Sequence, residues 1–246
     1  MAIKSPEKEI KNTKNEKIQP TADQKNKVPF MVVEAYKNLR VQLIAALAKK
    51  NGKIVAVSSA NADEGKSTTS VNLAITLSQL NKKVMLIDTD GRRGTVHHKL
   101  KIENNVGCLD VLEGKAEWGE VVKSYNQYLD VITLGAVSNN TTELFASNTF
   151  DRMLTEIKNE YDYVILDTPP INLLSDTLII SQKSDGLVLV VRSNVTTYDE
   201  FRDAKASIDQ LNVNLLGVVI NGEEGENKGY YKYGRKKYSK KYYGNK

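Results

Sequence analysis

Three short stretches of the 246-residue chain carry side chains that could do chemistry together. In "SSANADEGKSTT", Gly65-Lys66-Ser67 follows an apolar run and opens an apolar-periodic one. Glycine, lysine and a hydroxyl in that order end a phosphate loop. Backbone N–H groups and a helix N-terminus hold phosphate oxygens, the ammonium reaches the β- and γ-phosphates, and the hydroxyl ligates Mg²⁺. The first glycine of the strict pattern is replaced by Ala60. "VMLIDTDGRR" ends an apolar run with Asp88 and Asp90, and "VILDTPP" ends another with Asp167. Carboxylates at the C-terminal ends of strands sit where open α/β sheets bind ligands. Asp167 stands where a carboxylate holds Mg²⁺ through water. A lone Asp after a strand is more often a turn or cap residue, and GKS also occurs by chance at helix starts. Three such Asp beside a phosphate loop outweigh both. Asp63 would repel phosphates, so it is expected to serve the turn in left-handed backbone and point outward.

The elements that must position these residues alternate. "KIVAVSSA", "KKVMLIDTD", "YDYVILDTPP", "SDGLVLVVRS" and "LLGVVIN" read as strands, while "GKSTTSVNLAITLSQLN" and "TYDEFRDAKASIDQLN" read as helices. The strands are continuous apolar runs, which suits burial on both faces of a parallel sheet. The expected fold is one doubly wound α/β domain, P-loop NTPase-like, with a mostly parallel sheet flanked by helices. Ahead of it, "FMVVEAYKNLRVQLIAALAKK" places Val32, Tyr36, Leu39, Leu43 and Leu47 at helical spacing, with Asn51-Gly52 as the stop. Residues 1–28 are Lys-, Asn- and Glu-rich and read as a disordered basic tail. The domain is expected over 29–222 and a second flexible tail over 223–246.

The net charge of +5 is unevenly spread. Residues 1–29 hold seven Lys against four acidic residues, and residues 222–246 hold eight Lys or Arg against three. Residues 30–221 therefore carry a net −3. A mildly acidic body excludes a general nucleic-acid binder. One cysteine, Cys108, excludes a disulfide framework and a cysteine metal site, and a small core role is expected for it. No apolar signal region opens the chain and no run is long enough for a membrane span, so a cytoplasmic protein is expected. His97-His98 reads as an exposed helix-edge pair and Trp118 as a packing residue. The N-x-T matches at Asn139, Asn140 and Asn194 carry no meaning without secretion.

"LIDTDGR" matches the hydrophobic-D-x-D-x-R motif of bacterial tyrosine kinases. With "SSANADEGKST" and "VILDTPP" it completes a set similar to that family's Walker A, A′ and B motifs. "EAYKNLRVQL" resembles the family's ring-forming helix, and the resemblance runs over roughly residues 30–246. It implies that Glu64, Gly65, Lys66, Ser67 and Thr68 bind ATP. It further implies that Asp88 activates a tyrosine hydroxyl, that Asp90 places metal and substrate, and that Ser67, Asp88, Asp90 and Asp167 serve Mg²⁺. Asn221 resembles an adenine-contacting Asn of related folds, although an Asn leading into a glycine turn reads equally well.

Glu34, Lys37 and Arg40 would join copies into a ring. The resemblance also implies a separate membrane-bound activator or chain-length regulator that recruits the chain to the inner face of the membrane. A phosphotyrosine phosphatase and a role in capsule or exopolysaccharide production belong to the same implication; no specific nucleic acid does. Lys37 stands where the family has Arg, Gly91 and Gly94 replace an apolar residue and Pro and are expected to loosen their loop, and "SNNTTEL" lacks the usual prolines.

The last stretch, "KGYYKYGRKKYSKKYYGNK", holds Tyr230, Tyr231, Tyr233, Tyr238, Tyr242 and Tyr243, half of the chain's 12 tyrosines. Beside an ATP site they read as phosphoacceptors, reached in trans. Full modification adds roughly −9 to −12 at about −1.5 to −2 per phosphate, which reverses the tail's charge and is expected to dissociate the ring. Two other readings remain. Partitioning or septum-placing ATPases carry an early loop Lys where this chain has Asn61. Alternatively, the basic aromatic tail binds an anionic membrane or nucleic acid.

Overall fold

The computed structural model describes residues 30–222. The expected tails, 1–28 and 223–246, and the six tail tyrosines lie outside the described residues. Helix α1, Phe30–Ala48, leads into strand β1, Ile54–Ser59, and helix α2, Lys66–Ser78. Strand β2, Val84–Asp88, is followed by the short helices α3, Val96–Leu100, and α4, Cys108–Leu112. Strands β3, Lys123–Asn126, and β4, Leu129–Ile132, precede helices α5, Thr141–Ala146, and α6, Asn148–Glu160. The remainder is β5, Tyr163–Asp167; α7, Asp176–Gln182; β6, Gly186–Arg192; α8, Tyr198–Gln210; and β7, Leu215–Asn221.

The seven strands form one sheet in the order β3-β4-β2-β5-β1-β6-β7, parallel except for β3 against β4. Every residue of β1 and β2 is buried, because helices cover both faces. Val55 and Val57 pack with Leu73 and Leu77 under α1, α2 and α3. Met85, Ile87, Val164 and Leu166 turn to the other face, against α4 and α6, and Ala56 and Leu189 meet α8 there. Burying each such aliphatic side chain contributes roughly 1.5–3 kcal/mol. This two-sided burial is why the strand sequences show no polar alternation.

The structure departs from the sequence reading in three places. β7 is half-exposed, with Ile220 largely in water, because it is the outer strand of the sheet formed by the described residues. In α1 only Leu43 and Leu47 are buried, and Val32 is exposed, since the helix overhangs the sheet at its N-terminal end. β3 and β4 carried no signal in the pattern: each has four residues, and β3 alternates between half-buried and exposed. At the end of α1 the local chemistry behaves as expected. Asn51 adopts left-handed backbone with φ 55°, and Gly52 N–H donates to Leu47 O to close α1.

Asp185 clamps the start of β1. Its Oδ2 accepts from the N–H groups of Lys53 (2.7 Å) and Ile54 (2.8 Å), and Lys158 Nζ donates to Oδ1 at 3.0 Å. Burial pushes this carboxyl up, but the two backbone donors and the Lys158 ammonium outweigh it and hold it below the usual carboxylate range. A carboxyl depressed on folding stabilises the fold above its ordinary pKa near 3.8, and that stability is lost as pH falls through the lower folded value. Asp185→Asn is therefore expected to destabilise the domain by about 1–3 kcal/mol at pH 7. Chemical denaturation at pH 7 and at pH 3 should show the difference between variant and parent shrinking at the lower pH.

Candidate active site

The three motifs meet at the C-terminal edge of the central strands. In the sheet register Val57 pairs with Asp167, and Asp167 pairs with Asp88 across β5 and β2. The loop between β1 and α2 is held from several sides. Gly65, at φ 99°, caps α2, and Asp63, at φ 60°, supplies a second left-handed residue. The Asp63 side chain is 78% exposed and meets Arg93 at 3.5 Å, but both line the cavity beside Lys66, so the carboxylate is not turned away from the phosphate site as expected; Arg93 offsets its charge there. Ala60 replaces the glycine of the strict pattern without strain, because it lies at the end of β1 and its N–H donates to Val190 O. No positive φ is required there.

Glu64 and Asn221, both expected at the nucleotide, brace this loop. Glu64 is buried, and its carboxylate accepts from Asn61 N–H (2.9 Å) and from the Thr196 hydroxyl (2.5 Å). Asn221 Nδ2 donates to Glu64 O at 2.9 Å, and its Oδ1 accepts from Gly222 N–H at 2.9 Å. The glycine-turn geometry is thus present at Asn221. Thr68, at the exposed side of α2, accepts from Lys99 Nζ at 2.9 Å.

Lys66 Nζ lies 2.6 Å from Asp90 Oδ2 and 3.3 Å from Ser67 Oγ. Asp167 Oδ1 accepts from Ser70 Oγ at 2.8 Å, while its Oδ2 is buried without a hydrogen-bond partner among the described residues. Asp88 is turned inward, its oxygens accepting from Asp90 N–H (3.2 Å) and Val96 N–H (3.0 Å). Burial, with the Asp167 carboxylate beside it, pushes Asp88 up to about 8 against those two bonds. Burial also raises Asp167, against Lys66 and the Ser67 and Ser70 hydroxyls. Burial alone would lower Lys66, yet Asp167, Asp90 and Asp88 together hold it above its ordinary value.

Two carboxylates, Asp90 and Asp167, with the raised Asp88 beside them, face one ammonium, and Asp167 Oδ2 is a buried acceptor with no partner among the described residues. Both features fit a hard divalent cation. No cluster of three or more metal-ligating side chains exists among the described residues. Mg²⁺ needs no such cluster, since it takes one or two carboxylates and completes its shell with waters and substrate phosphates.

The loop after β2 is tightly packed, and the expected loosening at Gly91 and Gly94 is overturned. A Cβ on Gly91 would run into the Thr141 methyl, and one on Gly94 would come within 2.8 Å of Leu134 Cβ. Thr141 is itself fixed by its 2.8 Å bond to the buried Asp176. Glycine is the residue that lets this loop close against α5.

These groups surround one cavity of about 470 Å³, lined by Lys66, Ser67, Asp90, Arg92 and Lys99, with Pro170, Leu173 and Leu174 beside them. Asp90 lines it, whereas Asp88 and Asp167, both fully buried, lie behind the lining. Sequence reasoning missed Ser70, Lys99, Thr196 and the apolar side of the cavity. Only Ser70 had a signal, standing three residues after Ser67 and so on the same helix face. The expected ring residues make contacts within the chain: Lys37 pairs with Glu34 at 2.8 Å, and Arg40 Nη1 donates to Thr76 O at 2.6 Å. His98 is exposed and His97 half-buried, their rings 3.9 Å apart. Trp118 packs on the core and donates to Glu156 at 2.7 Å, and Cys108 is buried.

A family model described as an AAA domain matches residues 52–213. The tyrosine-protein kinase YwqD of Bacillus subtilis (strain 168) is 38% identical over 192 residues, which cover 78% of this chain and 81% of that protein. The tyrosine-protein kinase CpsD of Streptococcus agalactiae is 37% identical over 174 residues, covering 70% and 76%. Among solved structures, the kinase domain of the Escherichia coli tyrosine kinase ETK superposes with a TM-score of 0.76 at 32% identity, covering 81% of this chain and 78% of that one.

Proposed function

The chain belongs to the bacterial tyrosine-protein kinases, and from that premise we propose that it transfers the γ-phosphoryl group of ATP to tyrosines of its own C-terminal cluster. The observation that carries this reading is the convergence of Lys66, Ser67, Asp90 and Asp167 on one edge of the sheet, with Asn221 bonded to the phosphate loop at the point where the tail departs. The tail residues Tyr230 to Tyr243 begin nine positions beyond Asn221.

In this reading the N-terminus of α2 and the backbone of residues 64–68 hold the phosphates. Ser67 and Asp90 at the cavity, with Asp167 and Asp88 behind them, are the groups that would hold Mg²⁺. The bound ion would neutralise charge on the β- and γ-phosphates. Lys66 exchanges its Asp90 partner for phosphate oxygens, which frees the Asp90 carboxylate at the cavity wall. The tyrosine oxygen forms the new P–O bond, the bond to the bridging oxygen breaks, and ADP leaves with the electron pair. The phenolic proton passes to a carboxylate. That role, expected at Asp88, falls better to Asp90, because Asp90 lines the cavity while Asp88 is turned inward onto the Asp90 and Val96 N–H groups. Asp88 instead supports the loop that carries Asp90. Asn221 serves the loop first; any contact with the base would use its remaining N–H.

Acceptor tails are reached in trans within a ring, to which Glu34, Lys37 and Arg40 contribute. No helix among the described residues is long and apolar enough to cross a membrane. Recruitment to the inner membrane face through a separate membrane-bound activator is part of the same proposal. Control of capsule or exopolysaccharide production, with a phosphatase resetting the tail, completes the proposal.

Removing residues 224–246 tests it. Mass spectrometry should find no phosphotyrosine in the trimmed chain while Mg·ADP binding persists. Phosphotyrosine surviving at the parent level would show that the tail is not the acceptor.

A further inference from the structure

The phosphate cavity has an apolar side that phosphates cannot use. Pro170, Leu173 and Leu174 line it beside Lys66, Ser67 and Asp90. Leu173 is 61% exposed. A single exposed leucine is ordinary on a protein surface, so exposure alone carries no weight; its setting does. The backbone around it is pinned. Ile171 N–H donates to Ser59 O (2.9 Å) and Asn172 N–H to Ala60 O (3.1 Å), while Leu173 and Leu174 N–H both donate to Pro170 O. Asn172 Nδ2 adds a bond to Glu200 O at 3.0 Å, and Pro169 O accepts from Ser58 Oγ at 2.6 Å. The turn is therefore fixed onto the phosphate-loop strand, with Leu173 held outward at the cavity rather than left out by a loose loop.

The polar side of the cavity suits phosphates. The apolar side suits a flat apolar group that must come within bonding distance of a phosphate held on Lys66. A phenol ring has that chemistry: a large apolar face with one reactive oxygen at its tip. An aliphatic hydroxyl side chain is too small to cover the leucines. The chain itself supplies phenol rings in residues 230–243, which follow from Asn221 at the rim of the same loop. Resting on the kinase reading above, we propose that Leu173, with Leu174 and Pro170, is the shelf on which the ring of an acceptor tyrosine from the tail seats, and that this shelf selects tyrosine as the substrate side chain.

The test uses the full chain, Leu173→Ser and Leu173→Met, with a peptide of residues 228–246 as acceptor. Leu173→Ser is expected to raise the peptide KM about tenfold, as loss of a buried leucine contact implies. The KM for ATP should change less than about twofold, and Leu173→Met should restore most of the peptide affinity. A rise in the KM for ATP instead would assign the shelf to the base and overturn the proposal, as would no change in either. Leucine methyl NMR of the Mg·ADP-loaded protein gives a readout independent of turnover. The Leu173 methyls should shift on adding the peptide, and not on adding one whose tyrosines are all serine. Absence of that difference overturns the shelf even where the chain is an active kinase. A Leu173 shift without phosphotyrosine in the parent would support the shelf and overturn the kinase reading instead.

Discussion

Lys66→Met is expected to lower ATP-dependent phosphotyrosine formation by about 10²–10³-fold, the loss seen when one preorganised charge-stabilising group is removed from a transition state. Among the described residues Lys66 is the only ammonium bonded to the buried site carboxylates, at 2.6 Å from Asp90. Methionine keeps the apolar stem and deletes the charge. The side effect on folding has a defined sign. Burial already raises Asp167 and pushes Asp88 up to about 8, so the native state binds more protons than the unfolded chain above the ordinary value of 3.8. Stability contributed by such raised carboxyls is present below 3.8 and is lost as pH rises through the folded value. Removing Lys66 raises them further, so Lys66→Met should melt below the parent by a larger margin at pH 8 than at pH 6. Phosphotyrosine by mass spectrometry and paired thermal melts check both halves. Undiminished labelling would end the catalytic assignment of Lys66.

Gly65→Ala is expected to abolish nucleotide binding at concentrations that saturate the parent, and to cost about 1–3 kcal/mol of stability. Two independent effects add. At φ 99° an L side chain is strained. The new methyl would also occupy the position of the Asn221 side-chain amide, forcing it off Glu64 O. The loop would then lose its tie to β7 at the point where its N–H groups must face phosphate. The double variant Gly65→Ala/Asn221→Ala separates the terms. It relieves the clash but keeps the backbone strain, so it should be more stable than Asn221→Ala and Gly65→Ala summed independently. Simple additivity, measured by denaturation, would show that the amide does not obstruct the methyl.

Much of the fold was legible because its core strands are buried on both faces. Continuous apolar runs such as Val84–Asp88 leave few alternatives to a parallel interior strand. The reading failed at the margins, where burial is partial. β3 and β4 are too short to establish a period, and the half-exposed state of β7 depends on its place at the end of the sheet, which its own residues do not encode.

At the site, the residue types of the phosphate loop and the acids at strand ends are local: Gly65-Lys66-Ser67, Asp88, Asp90 and Asp167 each sit where strand meets loop, and period and motif together identify them. The sequence by itself therefore determined which groups gather at the strand ends, and placed six tyrosines on a basic tail. What it left open was orientation, because that depends on partners far along the chain. Only the tertiary structure turned Asp88 inward onto Val96 N–H, handed Lys66 to Asp90, and tied Asn221 and Glu64 to the loop backbone. It also filled the space above Gly91 with Thr141, making that glycine a condition of close packing where sequence had suggested slack. The physical reason is range: strand and helix propensities act over a few neighbours, whereas Lys66 meets Asp90 24 positions away and Asn221 meets Glu64 157 positions away.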